Sequence, residues 1–380
     1  MSLSILQVAT GFPGWGGTEL HILNLSDQLR RRGHDVTIAC RPGKWVEERA
    51  QAMGLRTVPM EVSRQQDWHD FPAMRRFLRE NKTDVLHVHW STDIIVPGFA
   101  ALREHVPVRV LSRHMPYPFK NRIGTWLYSQ LLFSRIVTVS RSVRETLLGC
   151  GVSPNKVEVI YHGTDVEAFA QTTYPQAEAR RRLGIPDGHL GVGIVGRIAP
   201  EKGHKFLLEA ALALGDRYPL RFVVIGNGPD EAALRQSAQD MRLADKVIFT
   251  GFMDDVNNAM HGLDMVVVPS TWDEPCSAVV QQAMALSKPV IGTKVGGTPE
   301  MVQEGLTGLL VPPSDALALA DAIAALAGDA FGRRRMGEAG RERVLSLFSL
   351  DVMTDRIEEL YCREYSAKHG TGTLHKALAS

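Results

Sequence analysis

The feature that most constrains this chain is an alternation, made twice, of short aliphatic runs with amphipathic helical patterns. In the first series, residues 3–9, 35–40, 55–61, 84–90, 108–114, 135–140 and 157–161 read as strands. Several are nearly unbroken Val/Ile/Leu runs, the pattern of parallel strands covered on both faces. Helical stretches separate them. Between residues 19 and 32, Leu20, Leu23 and Leu29 recur near a 3.6-residue spacing, and Gly33 supplies a stop. Such repetition builds a doubly wound α/β domain.

The pattern then breaks. Residues 162–186 are polar and loop-like, with one basic helix candidate at 176–183. A second series follows, with strands expected at 190–196, 220–226, 247–251, 265–270, 289–293 and 307–311. Helices are expected at 204–216, 229–241, 277–286 and 315–327. At roughly 150 residues per domain, a chain of 380 residues holds two, each large enough to own a core. The expected fold is α/β: two tandem Rossmann-like, doubly wound parallel-sheet domains facing across a cleft at the strands' carboxyl ends. The boundary is expected near 165–172. It separates an N-terminal domain at 1–168 from a C-terminal domain at 169–350, with a helix at 351–367 crossing back to the first and a frayed tail at 368–380.

Composition narrows the class. Apolar residues at 44% and charged residues at 22% describe an ordinary globular chain and exclude disorder. No apolar run approaches the length of a membrane span, and the N-terminus lacks the basic and apolar regions of a secretory signal. Cys40, Cys150, Cys276 and Cys362 are widely spaced, which argues against a disulfide framework or zinc site and for a reducing, cytoplasmic setting. The net charge of +1 hides an asymmetry: residues 1–168 carry +5 and the remainder −4. A mildly basic first half suits an anionic partner, although ordinary surface variation accounts for it equally; no nucleic-acid partner is expected.

The candidate chemistry sits where strands end. Gly14-Trp15-Gly16-Gly17-Thr18-Glu19 joins the first strand to the first helix, where glycines let the backbone approach a ligand and a helix start favours an anion. A ligand-free tight turn is the alternative. Gly191-x-Gly193-x-x-Gly196 spells a dinucleotide fingerprint, but it lies within a strand rather than in the following turn, and is set aside. After that strand, Arg197 and Lys202 precede the helix at 204, positioned either to hold a diphosphate or as a solvated surface pair. The segment Pro269-Ser270-Thr271-Trp272-Asp273-Glu274-Pro275-Cys276-Ser277 then delivers Glu274 to a helix start, where it can also serve merely as a cap partner. Cys276 has no histidine base nearby in sequence and is not read as a nucleophile.

In order and spacing these pieces resemble a family-four retaining glycosyltransferase of the GT-B fold. The match carries Gly16-Gly17-x-Glu19, Arg32-Gly33-His34-Asp35-Val36, Gly196-Arg197 with Glu201-Lys202-Gly203, and Pro269-Ser270 before Glu274. Ala283-Met284-Ala285 with Pro289-Val290, then Gly296-Gly297-x-Pro299-Glu300, complete it, so that the resemblance runs from about residue 3 to 365. It implies that Arg197 and Lys202 neutralise the donor diphosphate, and that Gly16 and Gly17 approach donor phosphate and acceptor. His114 would lie near the donor sugar, a packed strand-end histidine being the alternative. Glu274 would hold sugar hydroxyls. The amides of Cys276, Ser277 and Ala278 would face the sugar and distal phosphate, and Gly251, Phe252 and Met253 would lie beside the nucleobase. Two departures stand out. Gln282 occupies the place of the family's second Glu, which accepts the ribose hydroxyls, and His162 and Thr164 replace the usual Asn and Val or Ile around Gly163 and Asp165.

The resemblance implies sugar transfer from a nucleotide-diphosphate sugar to a glycan or lipid-linked acceptor, in bacterial surface polysaccharide or lipopolysaccharide synthesis. The nucleotide sugar is a co-substrate, and no further cofactor is expected. The sequence contains no Asp-x-Asp, so fixed cations and amides, rather than a metal, are expected to stabilise the leaving group. Glu274 has no evident carboxylate partner for double displacement, and the resemblance favours front-face transfer. A sugar-nucleotide 2-epimerase and a non-catalytic sugar-nucleotide binder are the rival readings. Phe119-Lys120-Asn121-Arg122 with Trp126, Leu127, Leu131 and Phe133 reads either as a peripheral contact with an anionic membrane or as a helix packed on the sheet.

Overall fold

The computed structural model describes residues 1–369 apart from Phe12, Pro13, Trp15, 63–67 and Lys120, so most of the tail expected from 368 lies outside the described residues. Among the described residues, thirteen strands form two sheets. The first contains β1 (Ser4–Ala9), β2 (Asp35–Cys40), β3 (Arg56–Pro59), β4 (Val85–Val88), β5 (Val108–Arg113), β6 (Arg135–Thr138) and β7 (Val157–Val159), in the order β3-β2-β1-β4-β5-β6-β7. The second contains β8 (Leu190–Val195), β9 (Leu220–Ile225), β10 (Val247–Gly251), β11 (Met265–Val268), β12 (Val290–Thr293) and β13 (Gly308–Val311), in the order β10-β9-β8-β11-β12-β13. Pairing within both sheets is parallel throughout.

The strands fall where the aliphatic runs predict, but most are a residue or two shorter at the carboxyl edge. His89 and Trp90 leave β4 and His114 leaves β5, while at the amino edge Pro289, lacking an N–H, stays out of β12. The glycines within β8 make room for packing. A Cβ on Gly193 would sit 2.1 Å from Leu263 Cδ1, and one on Gly191 2.6 Å from Ile185 Cδ1.

The chain divides into two compact units, one of Met1–Gly163 together with the chain from Leu350, the other of Thr164–Ser349. The division precedes the expected residue 168 because the connecting segment is already committed to the second unit. Thr164 N–H donates to Phe348 O at 2.9 Å, and its hydroxyl to Gln281 Oε1 at 2.7 Å. In the first unit, helix Leu350–His369 buries Leu350, Met353, Ile357, Leu360 and Tyr361 against Leu3, Ile5, Leu25, Leu29 and Val36. Their three- and four-residue spacing makes one apolar stripe. Arg32 closes its rim with bonds to Asp355 at 2.5 Å and Glu358 at 2.9 Å.

Candidate active site

In each sheet the strand order reverses once, between β1 and β4 in the first and between β8 and β11 in the second. Loops leaving the sheet diverge there and open a crevice, which is where open α/β sheets bind ligands. In the second unit, the β8 exit supplies Arg197 and the short turn Pro200–Lys202, and the β11 exit supplies Ser270 and Glu274. The two exits meet. Lys202 Nζ lies 2.8 Å from Glu274 Oε1, and Ser270 Oγ donates to Glu274 Oε2 at 2.8 Å. Burial alone would raise the Glu274 pKa, but the adjacent Lys202 charge and these hydrogen bonds outweigh it and hold the carboxyl below its ordinary value.

Glycine makes this approach possible. Gly203 has φ +73°, and a Cβ there would fall 1.9 Å from Pro269 O, so no other residue lets the two exits close. Gly296, with φ +56°, seats under Glu274, whose carbonyl would be 2.3 Å from an added Cβ; Gly297 N–H then donates to Glu274 O at 2.9 Å.

The other positions expected on the donor side line the same edge. Cys276, Ser277 and Ala278 lead into helix Ala278–Ala285, whose N-cap residue Ser277 makes no side-chain cap bond, leaving first-turn amides available to an anion. Cys276 Sγ accepts from Gln281 Nε2 at 3.4 Å, a packing role for the thiol. Gln282 is half-buried on this helix. Gly251 ends β10 at φ +72°, followed by the exposed Phe252 and the half-buried Met253. Arg197 pairs with Glu201, but its side chain is 65% exposed against 30% for Lys202, so Lys202 is the better-fixed cation.

The first unit's edge is built differently. Gly16 caps helix Gly17–Arg31, and Glu19 is buried beneath that turn. Burial raises the Glu19 pKa despite hydrogen bonds that lower it. Trp15 of this motif lies outside the described residues. His114 is buried, and both its ring nitrogens face other histidines: Nε2 lies 3.2 Å from His89 Nδ1, and Nδ1 lies 2.8 Å from His162 Nε2. His89 Nε2 continues the chain to Gln7 Oε1 at 2.7 Å, and Gln7 Nε2 to Tyr361 Oη at 3.4 Å. Tyr361 Oη in turn meets His87 Nδ1 at 2.5 Å, and His87 Nε2 meets Ser112 Oγ at 2.7 Å. The His21 ring stacks on His162 with centroids 4.2 Å apart. Burial pushes these imidazoles down, to about 3 at His87 and about 4 at His162, so they are neutral near pH 7. At His21, His89 and His114, burial leads and neighbouring imidazoles add to the shift.

Comparison with known proteins decides the family. The description "Glycosyl transferases group 1" matches residues 175–343, and "Glycosyltransferase Family 4" matches residues 15–168. The chain is 28% identical to a D-inositol 3-phosphate glycosyltransferase of Corynebacterium glutamicum, over 95% of this chain and 94% of that one. It is 29% identical to a GDP-mannose-dependent alpha-mannosyltransferase of Mycobacterium tuberculosis, over 97% and 98%. A glycosyltransferase structure from Rickettsia africae superposes with a TM-score of 0.87 at 21% identity, covering 96% of this chain and 98% of that chain. Anabaena HepE in complex with UDP gives 0.84 at 20%, covering 95% and 100%. The chain belongs to the family-four glycosyltransferases, with the GT-B fold.

Within this glycosyltransferase the structure gathers Lys202, Glu274, Cys276, Ser277 and Ala278 on the edge of one sheet, and Gly16, Gly17 and His114 on the edge of the other. The sequence reading missed the mutual engagement of Lys202 and Glu274, and the histidines around His114. His21, His87, His89 and His162 are scattered along the chain; the only local signal was His87-x-His89 at a strand end. The segment after residue 119 is unevenly buried. Phe133 is fully buried and Leu127 and Leu131 pack partly inside, whereas Ile123 and Trp126 are 79% and 58% exposed. No described helix is long and apolar enough to cross a membrane.

Proposed function

We propose that this glycosyltransferase is retaining and metal-independent, and transfers a sugar from a nucleotide-diphosphate donor to a glycan or lipid-linked acceptor in bacterial surface polysaccharide synthesis. The observation that carries the reading is the Lys202–Glu274 pair at the reversal point of the second sheet, beside an uncapped helix start. Lys202 and Arg197 meet the diphosphate, and the amides of Cys276, Ser277 and Ala278 face the distal phosphate, so that charge growing on the leaving group finds fixed positive partners. Glu274 exchanges its bond to Lys202 for sugar hydroxyls when the donor enters. Gly251, Phe252 and Met253 flank the base, and Gln282 the ribose. In the first unit, Gly16 and Gly17 approach phosphate and acceptor, and His114 serves the sugar. The departing phosphate helps to take the acceptor proton in a front-face transfer.

Relatives support the substrate classes. An Escherichia coli relative at 23% identity is named as a UDP-Gal:alpha-D-GlcNAc-diphosphoundecaprenol alpha-1,3-galactosyltransferase. HepE has also been crystallised with UDP-glucose. Exposed Ile123 and Trp126, on a half of the chain carrying +5, suit peripheral contact with an anionic membrane on its cytoplasmic side.

A panel of nucleotide sugars, read by nucleotide release and by mass spectrometry of products, tests the proposal. Transfer with retained anomeric configuration, undiminished by EDTA, is expected. Epimerised donor without nucleotide release, or binding without turnover, would replace it with one of the rival readings.

A further inference from the structure

The histidines of the first unit form more than a packed cluster. We propose that His21, His114 and His162 bind a single divalent transition-metal ion of the Zn²⁺, Co²⁺ and Ni²⁺ class. One ring nitrogen from each lies within 4.8 Å of the others. Tetrahedral zinc at about 2.0–2.1 Å from each nitrogen needs them roughly 3.3 Å apart, so the 2.8 Å contact of His114 with His162 opens slightly while His21 draws in. Three nitrogen donors suit these ions and not Mg²⁺ or Ca²⁺, which prefer oxygen.

Two further observations favour a ligand. His21 is 8% exposed, and its Nδ1 is buried with no hydrogen-bond partner among the described residues. A buried polar atom left unpaired is costly, and an ion would satisfy it. The second observation is the polarity of the chain behind His114. Gln7 Nε2 donates to Tyr361, so Gln7 Oε1 accepts from His89 Nε2–H. His89 Nδ1 therefore carries a lone pair and receives His114 Nε2–H, which leaves the His114 Nδ1 lone pair turned toward His162. Metal-bound histidines characteristically donate their other N–H to an acceptor of this kind, which sets tautomer and ring orientation. At His162 the ion requires only a tautomer exchange, the proton moving from Nε2 to Nδ1, with no net proton released. Burial keeps the rings neutral near pH 7, the form that ligates.

The consequence for activity rests on the proposed role of His114: an ion on its Nδ1 withdraws the ring from the sugar, so occupancy inhibits. Binding itself is independent of that role and is tested separately. The untagged full chain, stripped with chelator, is dialysed to equilibrium against Zn²⁺ or Co²⁺ and its metal content measured. About one equivalent is expected in the wild type, with affinity at least about tenfold weaker in His162→Asn and in His21→Asn, and unchanged in the surface control His69→Asn. Binding that survives both substitutions, or no saturable binding, overturns the site. If a variant fails to fold, anomalous diffraction at the zinc edge from soaked wild-type crystals decides: an ion on the three rings supports the site, and an ion elsewhere overturns it. In the second arm, Zn²⁺ is expected to slow nucleotide release by the wild type and to spare His162→Asn. Binding without inhibition would discard the role given to His114 and keep the metal site.

Discussion

The two units of this glycosyltransferase share a plan and differ in what stands at its edge. In both, the first and fourth strands of the series flank the reversal point, β1 with β4 and β8 with β11. At the second edge the loops bring charges together, as Lys202 with Glu274 and Arg197 with Glu201. At the first they bring together neutral, buried imidazoles linked to Gln7 and Tyr361. Topology decides where each crevice lies, and the loop residues decide whether it meets a ligand with charge or with neutral hydrogen-bonding groups. A diphosphate needs the former. Hydroxyl-bearing sugars and acceptors can use the latter.

The most direct way to break this contrast is to remove the fixed cation. Lys202→Ala is expected to lower kcat by about 10²–10³, the scale of losing one stabilising donor to a developing anion. Arg197→Ala should cost less, because that side chain is the more exposed and already faces Glu201. Steady-state kinetics on variants with unchanged circular dichroism decides it; Lys202→Ala within threefold of wild type would remove the charged edge from the mechanism.

Acid should separate the units next. A buried histidine with a lowered pKa binds its proton more readily when unfolded, so stability rises with pH across the window and is lost as pH falls. For His162 that window runs from the ordinary 6.5 down to about 4, which taken alone amounts to about 3 kcal/mol. His204 of the second unit shares this window, but it does so without the neighbouring imidazoles that push His21, His89 and His114 lower still. Of the tryptophans only Trp272 lies in the second unit, so tryptophan fluorescence reports chiefly on the first. The fluorescence transition is expected at a higher pH than the far-ultraviolet transition of the whole chain. Coincident transitions would show that the histidine edge carries no special acid sensitivity.

A finer test addresses the charged pair. In Glu274→Gln, Lys202 loses the carboxylate that competes with a diphosphate, while an amide can still accept from Ser270. Nucleoside diphosphate should bind about three- to tenfold more tightly, the effect of about 1 kcal/mol at a part-buried pair, as turnover falls. Calorimetry showing unchanged or weaker binding would mean that the pair opens at no cost to the donor. The smallest change is expected at Gln282. A carboxylate there accepts both ribose hydroxyls, whereas the amide offers one acceptor oxygen. Gln282→Glu should lower the donor Kd about three- to tenfold with kcat nearly unchanged, since such contacts bind ground and transition states alike. Weaker binding would show that the surroundings of Gln282 are built for an amide.

Much of this molecule was legible in its sequence. Strand positions and the two-domain plan follow from aliphatic runs and helical spacing, because burial on both faces of a parallel sheet writes itself into consecutive residues. Donor-side candidates were legible for a related reason: Arg197 with Lys202, and Glu274 with Cys276, each lie in a single loop whose place at a strand end can be read locally. What the sequence could not express were partnerships between loops. Lys202 and Glu274 are 72 residues apart, and His114 and His162 are 48 apart. The same limit hid the purpose of Gly203 and Gly296, which look like flexible turn residues until Pro269 and Glu274 are found against them. The chain's own periodicity determines the elements and their edges. Which charges meet, which imidazoles lose their water and which glycines admit a neighbour were decided only by tertiary packing, because pairing and desolvation depend on distances in space that local sequence does not encode.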